Sequence, residues 1–183
     1  MELETRRLIL RTFTEEDAAD FYAYCKDPRV GPAAGWTPHE SVEESLAVIR
    51  DFLEHPGTLA VTRKGEGKVI GTAGFVGRHR RELPGPDDEI GYCLSPAYWG
   101  QGFIPEAVDA LLACGFENRG LNTIWCGYYD GNQKSSRVVR KCGFTYRFTR
   151  IQKVPSLGDA VRLAYCWAMT RREWEERTKA QHI

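Results

Sequence analysis

The sequence predicts an α+β fold (mixed α/β) built on one central, mostly antiparallel sheet of seven strands. Short apolar runs of β-type composition alternate with segments whose apolar residues recur at helical spacing. Three of these runs follow one another with only turn-rich segments between them, which is typical of antiparallel strands. Further on, a strand, a helix and a strand occur in succession, which favours one parallel pair within the sheet.

The first half of the chain supplies one strand, two helices and then three strands. The strand "RRLILRTF" leads into a helix over "TEEDAADFYAYC", with Thr14 as N-cap and acidic residues in the first turn. The second helix covers "PHESVEESLAVIRDFLEH", because its apolar residues lie on one face and Pro56 and Gly57 end it. The three strands are "TLAVTR", "KVIGTAGFVG" and "DDEIGYCLS".

The second half begins with the clearest helix, which starts at Pro105 and ends before Gly120. Apolar residues follow the helical period there, at Val108, Leu111, Leu112 and Phe116. The strand "NTIWCGYYD" comes next, then a short helix with Asn132 as N-cap and Gly143 at its end. "FTYRFTRIQ" and "AVRLAYCWAM" complete the sheet, and the polar tail "TRREWEERTKAQHI" begins as a helix.

Length and composition predict one domain over residues 1–183, since 183 residues with 42% hydrophobic content suffice for one core. Lys plus Arg and Asp plus Glu each number 25, so no overall field favours nucleic acid or an acidic membrane. The chain has neither a signal-like N-terminus nor an apolar run near the roughly 18 residues of a membrane helix. We expect a cytoplasmic protein with no membrane or nucleic-acid partner, either a monomer or a homodimer.

The cysteines and histidines indicate a reduced protein without a metal. The six cysteines are widely spaced and form no CxxC pair, so they are expected to be free core residues. The four histidines form no metal-ligand spacing with one another or with cysteine.

Two glycines in "SPAYWGQGFIPEA" lie one residue apart, directly before the clearest helix. A Gly-x-Gly turn there directs unpaired backbone N–H groups and the positive end of the helix dipole at one point, which suits a phosphate or pyrophosphate. The alternative is a purely structural turn. A dinucleotide fingerprint would place another glycine where Pro105 stands, and the Gly-Lys-Ser/Thr of a P-loop is missing.

The surrounding residues distinguish these alternatives. "EIGYCLSPAYWGQGFIPEA" followed by "NQKSSRVVRKCGF" resembles the two acetyl-CoA-binding motifs of the GNAT superfamily of N-acetyltransferases. "ETRRLILRTFTEEDAADFY" and "DPRVGPAAGWTPHESVEES" resemble its RimJ/RimL-like branch. The resemblance covers about Glu4 to Thr170. It implies a three-layer fold with helices on both faces of the sheet, which splays at the acetyl-CoA site.

By this resemblance, the glycine turn holds the pyrophosphate of acetyl-CoA, which is the co-substrate. Gly102 matches the fixed glycine of the motif, whereas Trp99 and Ile104 depart from the usual residue types. The pantetheine arm would lie between two splayed parallel strands. The residues implied in binding are Cys93, Leu94, Ser95, Trp99, Gly100, Gln101, Gly102, Phe103, Ile104, Asn132 and Ser135.

The resemblance also implies catalytic roles for Glu89 and Ser135. Glu89 matches the general base of several family members, and its alternative is an exposed carboxylate at a hairpin end. Ser135 would protonate the leaving thiolate, and a backbone N–H near Leu94 would stabilise the oxyanion. Helix capping alone also explains Asn132 and Ser135. Arg137, Arg140 and Lys141 form either a solvated face or a 3′-phosphate site.

The resemblance assigns the acceptor amine to the early helices and loops, here "GPAAGWTPHESVEES" and "RHRRELPGPDDE", with Trp36, His39 and Glu89 as substrate-binding candidates. Glu40, Glu43 and Glu44 would favour a cationic amine, or else only the dipole of a surface helix. The resemblance implies a protein N-terminal α-amine or a small-molecule amine as the acceptor. The predicted activity is acetyl-CoA-dependent N-acetyl transfer by direct attack in a ternary complex. The alternatives are a non-catalytic acyl-CoA-binding or regulatory module and a nucleotide-binding enzyme.

Overall fold

The computed structural model describes residues 2–181. The strands in this part of the chain form one open sheet. The described strands lie in the order β1-β2-β3-β4-β5-β6-β8-β7, and among them only the β5–β6 pair is parallel. Their bounds are β1 Leu3–Glu4, β2 Leu8–Arg11, β3 Thr58–Arg63, β4 Val69–Phe75, β5 Asp87–Leu94, β6 Thr123–Tyr129, β7 Thr145–Val154 and β8 Ala160–Thr170.

The described helices are α1 Ala18–Cys25, α2 Gly31–Ala34, α3 Val42–Glu54, α4 Phe103–Ala113, α5 Gln133–Lys141 and α6 Arg171–Gln181. The predicted helix in the tail is confirmed as far as Gln181, while Met1, His182 and Ile183 lie outside the described residues. Helix α4 continues into one π-helical turn, Cys114–Asn118.

The predicted element order is confirmed, with two short additions. The sheet has eight strands in the described part of the chain rather than seven, because the two-residue β1 pairs with β2. Helix α2 is a single turn of four residues. Neither element is long enough to show a hydrophobic period.

The helices cover both faces of the sheet, as expected. Helices α4 and α5 bury residues such as Leu111 and Val139 against one face, in the larger core. Helices α1 and α3 bury Phe21 and Ile49 in a second core on the other face. Residues of α2 and residues near the carboxyl ends of β5 and β6 line one common cavity.

Local signals set the helix starts. The Thr14 backbone N–H donates to the Asp17 carboxylate at 2.8 Å, and a 3₁₀ turn over Glu15–Asp17 leads into α1. The Asn132 side chain accepts from the Ser135 N–H at 3.1 Å, which confirms the predicted N-cap of α5. All six cysteines are free, as predicted, and all but Cys93 are buried. In the described part of the chain, every helix is too short or too polar to cross a membrane.

Candidate active site

The two parallel strands separate half-way along their length. Strand β5 pairs with β6 only as far as Ile90 and Cys126, although β5 extends to Leu94 and β6 to Tyr129. Beyond that point the two strands leave a gap. The expected splay is therefore present in this sheet.

Backbone amides of β5 face this gap. The Ser95 N–H donates to the Ile70 carbonyl of β4 at 2.8 Å, so Ser95 directs its amide away from β6. Successive residues of a strand point their N–H groups to opposite sides. Tyr92 and Leu94 therefore direct theirs into the gap, where a linear ligand or a developing oxyanion can accept them.

The glycine turn stands at the end of β5. Gly100 and Gly102 both have φ of +77°, a left-handed conformation that glycine adopts at little cost. Gly102 is the N-cap of α4 and brings no capping side chain, which leaves the first N–H groups of the helix unpaired. Arg7 fixes the turn, because its Nη1 donates to the Gln101 carbonyl at 3.0 Å and its Nε pairs with Glu106 at 2.7 Å.

Trp99, one of the two departures from the family motif, supports the turn. Its indole Nε1 donates to the Leu94 carbonyl at 2.8 Å and joins the turn to the end of β5. The Lys134 Nζ lies 4.1 Å from the centroid of the Trp99 ring, and the Arg29 guanidinium carbon lies 5.6 Å from it. Two cations are thereby held beside the ring by cation–π contact.

Ile104, the other departure, lies on the core side of the turn. It lines the cavity next to the turn, yet it is only 6% exposed and belongs to the larger core. Most of the Ile104 side chain therefore packs in the core. The groups of the turn that face the phosphate site are backbone N–H groups.

A cavity of about 590 Å³ extends from the glycine turn to the gap between the strands. Of the described residues that line it, four are cationic and none is acidic; the four are Arg29, Lys134, Arg137 and Lys141. A Cβ atom placed on Gly102 would lie 3.6 Å from Arg7 Nη2 and 3.9 Å from Lys141 Nζ. The cavity therefore suits a polyanion, and its residues fit the phosphates and arm of coenzyme A.

The structure brings most of the predicted cofactor-binding residues to this cavity. Those that line it are Cys93, Leu94, Trp99, Gly100, Gly102, Phe103, Ile104, Asn132 and Ser135. Ser95 and Gln101 lie in the same segment but outside the lining, and the Gln101 side chain donates to the Ala97 carbonyl at 3.2 Å.

Asn132 and Ser135 join α5 to its surroundings. The Asn132 amide caps α5 and also donates to the Ala33 carbonyl of α2 at 3.1 Å, so capping is one role of this side chain. Ser135 is buried, and its Oγ lies 2.6 Å from the hydroxyl of Tyr92. Tyr92 is a functional candidate that the sequence analysis missed. Its place on the gap-facing edge of β5, two residues before Leu94, is the signal that identifies it.

Tyr92 and Cys93 lie in surroundings that keep their side chains protonated, which does not favour a role as nucleophile. Burial raises the pKa of Tyr92 well above its ordinary value, so the phenol stays protonated at neutral pH and can donate. Burial also raises the pKa of the Cys93 thiol, which lies 2.9 Å from the Thr72 hydroxyl. Since the thiolate is the reactive form, this environment does not favour an acyl-cysteine.

A second cavity of about 390 Å³ meets the first one. The lining residues common to both are Ala33, Ala34, Tyr92, Cys93, Asn132 and Ser135. Glu89 lines the second cavity but is buried, so the alternative of an exposed hairpin carboxylate is wrong. Its Oε2 lies 2.5 Å from Arg80 Nη2, and its Oε1 lies 3.4 Å from Arg78 Nη1.

The two predicted acceptor residues of the early loop lie in different environments. Trp36 lines the second cavity, whereas His39 lines neither cavity. His39 is buried beside Phe21 and Trp36, and its Nδ1 lies 2.7 Å from Ser45 Oγ. Glu40, Glu43 and Glu44 also lie outside both linings, and the Glu44 carboxylate accepts from the Glu40 backbone N–H at 2.6 Å. Among residues 2–181, no group of three or more metal-ligating side chains is assembled.

A sheet splayed at one parallel pair, with a glycine turn leading into the next helix, is characteristic of acetyltransferases, and comparison with known proteins agrees. Residues 7–145 match the family model described as acetyltransferase (GNAT) domain. The chain is similar to the uncharacterized N-acetyltransferase YoaA of Bacillus subtilis, with 33% identity over 150 residues that cover 78% of this chain and 81% of that protein. This chain belongs to the GNAT acetyltransferase family.

Solved structures agree on the fold. A GNAT-family acetyltransferase from Bacillus anthracis superposes with a TM-score of 0.82 at 23% identity and covers 94% of this chain and 100% of its own. The ribosomal-protein-S5-alanine acetyltransferase of Vibrio fischeri superposes with a TM-score of 0.71 at 22% identity, over 95% and 98% of the two chains.

Proposed function

We propose that this protein transfers the acetyl group of acetyl-CoA to a primary amine by direct attack in a ternary complex. The observation that carries the proposal is the junction of the two cavities. One is cationic and reaches the glycine turn, the other opens beside Glu89, and both are lined by Tyr92 and Ser135. A thioester at the end of the first cavity and an amine in the second would meet at these hydroxyl groups.

The chain's own residues would divide the chemistry as follows. The amine nitrogen forms a bond to the acetyl carbon as the carbon–sulfur bond breaks, so the amine loses a proton and the thiolate gains one. Glu89 accepts the amine proton, directly or through water, at Oε1, whose 3.4 Å contact with Arg78 is the looser of its two ion pairs. The Ser135–Tyr92 pair donates a proton to the thiolate, and the Leu94 N–H meets the oxyanion.

The acceptor class in this proposal is a protein N-terminal α-amine or a small-molecule amine. The fold similarity to the Vibrio fischeri enzyme, named for an alanine of ribosomal protein S5, supports the first. We further propose that residues 1–183 form one domain of the RimJ/RimL-like branch that works in the cytoplasm as a monomer or homodimer. Neither a metal nor a nucleic-acid partner enters the proposal.

The test is calorimetric titration of the purified protein with acetyl-CoA, with dephospho-CoA and NAD as controls, followed by thiol release across an amine panel. Micromolar binding of acetyl-CoA together with amine-dependent thiol release is expected. Binding without thiol release from any amine would favour the non-catalytic acyl-CoA module. A preference for NAD would contradict both readings and favour a nucleotide-binding enzyme.

A further inference from the structure

We infer that the acceptor carries an oxyanion, a carboxylate or phosphate group, in addition to its amine. The inference rests on the proposed function, because it assigns the second cavity to the acceptor. The described residues that line this cavity include Arg78, Arg80 and Arg150 but only one acidic residue, Glu89. Because Arg78 and Arg80 share Glu89, an amine with no other charge would leave the cavity with an excess of positive charge, whereas an anionic group would neutralise it.

In the described structure, Arg80 leaves one N–H group of its guanidinium without an acceptor. Its side chain is only 9% exposed, and one edge of its guanidinium pairs with Glu89. Its Nε is buried and has no hydrogen-bond partner in the described structure. A buried polar group without a partner is unfavourable, so a bound acceptor atom that reached this N–H would be stabilised. The guanidinium carbon of Arg80 lies 5.3 Å from the centroid of the Trp125 ring, and this contact limits where Arg80 can move.

Arg150 supplies a further positive charge to this cavity. It lies on β7, and its Nη2 donates to Gln152 Oε1 at 2.9 Å. Gln152 in turn donates to the Tyr129 hydroxyl at 3.2 Å, which orders this wall of the cavity. Within residues 2–181, Arg150 forms no ion pair, so its remaining N–H groups can bind an oxyanion in the forked geometry typical of arginine.

The two ends of the cavity therefore differ in chemistry. Tyr92 and Ser135 stand at the end shared with the first cavity, where the amine would react. Arg150 and Gln152 line only the second cavity, away from that junction. The inference replaces the expectation of a purely cationic amine, because Glu40, Glu43 and Glu44 do not line the cavity.

The experiment compares matched pairs of amines that differ only in the anionic group. The pairs are 4-aminobutyrate and 4-aminobutyramide, O-phosphoethanolamine and ethanolamine, and the peptide amides Ala-Glu-Ala-Gly and Ala-Gln-Ala-Gly. Thiol release gives kcat/KM at saturating acetyl-CoA, and calorimetry gives the affinity of each amine for the protein saturated with CoA. We expect at least a tenfold preference for the anionic member in one pair, and the identity of that pair separates a carboxylate, a phosphate and a peptide as its source.

Two arginine variants decide whether the cavity is responsible. Arg150→Gln removes an exposed side chain that has one neutral hydrogen bond, and it should abolish the preference. Arg81→Gln removes the same charge from an exposed neighbour of Arg80 that does not line the cavity, and it should preserve the preference. Equal effects of the two variants would overturn the inference.

The outcomes also separate the inference from the proposed function. If acetyl-CoA binds and the uncharged members are acetylated as well as the anionic ones, the proposed function stands and the inference is wrong. If acetyl-CoA does not bind, the proposed function is wrong, and the affinities of the paired amines for the free protein then test the inference. Absence of saturable binding by every anionic probe would also overturn the inference.

Discussion

The two cavities that meet at Tyr92 and Ser135 are built in different ways. The first takes its turn and its strand edge from one continuous segment, Tyr92 to Pro105, and its cations mainly from α5. The second takes its charged residues from the loop after β4, from β5 and from β7. A cofactor common to a family can be bound by a short motif, whereas an acceptor site drawn from separated strands can change one residue at a time.

The largest expected effect in this comparison comes from Gly102→Asp. The new carboxylate would lie beside Arg7 and Lys141, pair with them and occupy the space of the phosphates. We expect calorimetry to show at least a hundredfold loss of acetyl-CoA affinity. Gly120→Asp is the matched control, because Gly120 also has a positive φ, +67°, and no atom of the described residues lies within 4 Å of its added Cβ. Equal affinity of the two variants would place the phosphates elsewhere.

The junction of the cavities is tested by Ser135→Ala and Tyr92→Phe. If their hydroxyl groups deliver one proton as a pair, each variant should lower kcat at least tenfold, which corresponds to about 1.4 kcal/mol in barrier height. The double variant should lose no more than the worse single variant, because the two groups act as a unit. Ser136→Ala, on the same helix but outside both cavities, is the control. A fully active Ser135→Ala enzyme would remove Ser135 from the mechanism.

The fold could be predicted further than the site. Hydrophobic periods and caps fixed the order of all the long elements, and the motif placed Gly100, Gly102 and Leu94 at one end of β5. The contact between Tyr92 and Ser135 depends on how β5 is positioned against α5. No local sequence pattern predicts that position. The position of Arg150 in the second cavity can be predicted only if the strand order β6-β8-β7 is known, in which β7 lies outside β8. The Glu40, Glu43 and Glu44 carboxylates were adjacent in sequence to Trp36 but separate from its cavity in space.

Glu89→Gln tests the acceptor side of the junction. The amide can still accept from Arg80, so the fold should be retained, but it cannot accept a proton. We expect kcat/KM to fall several-fold at neutral pH and to recover as the pH rises, because the amine then loses its proton without help. The pH–rate profile is the measurement, and Glu82→Gln, an exposed acid outside both linings, is the control. A profile of unchanged shape would assign the proton to water alone.

The smallest effect concerns His39, the predicted acceptor residue that lies outside both cavities. Burial lowers its pKa below the ordinary value, so the unfolded chain takes up a proton at a pH where the folded chain does not. The free energy of unfolding should therefore fall as the pH drops below about 6.5, and His39→Gln should flatten this dependence without changing KM for the amine.

His79 is the matched control, because its effect on the free energy of unfolding depends on pH in the opposite direction. Its Nδ1 lies 2.7 Å from the Asp87 carbonyl, and this hydrogen bond raises its pKa. Its contribution to stability is present at low pH and is lost as the pH rises through the raised folded-state pKa, and solvent screening keeps it small. Urea unfolding between pH 5 and 8 gives the free energy of unfolding as a function of pH. The slope of this dependence should change in opposite directions in His39→Gln and His79→Gln. A rise in KM for the amine in His39→Gln would instead return His39 to the acceptor site, despite its bond to Ser45.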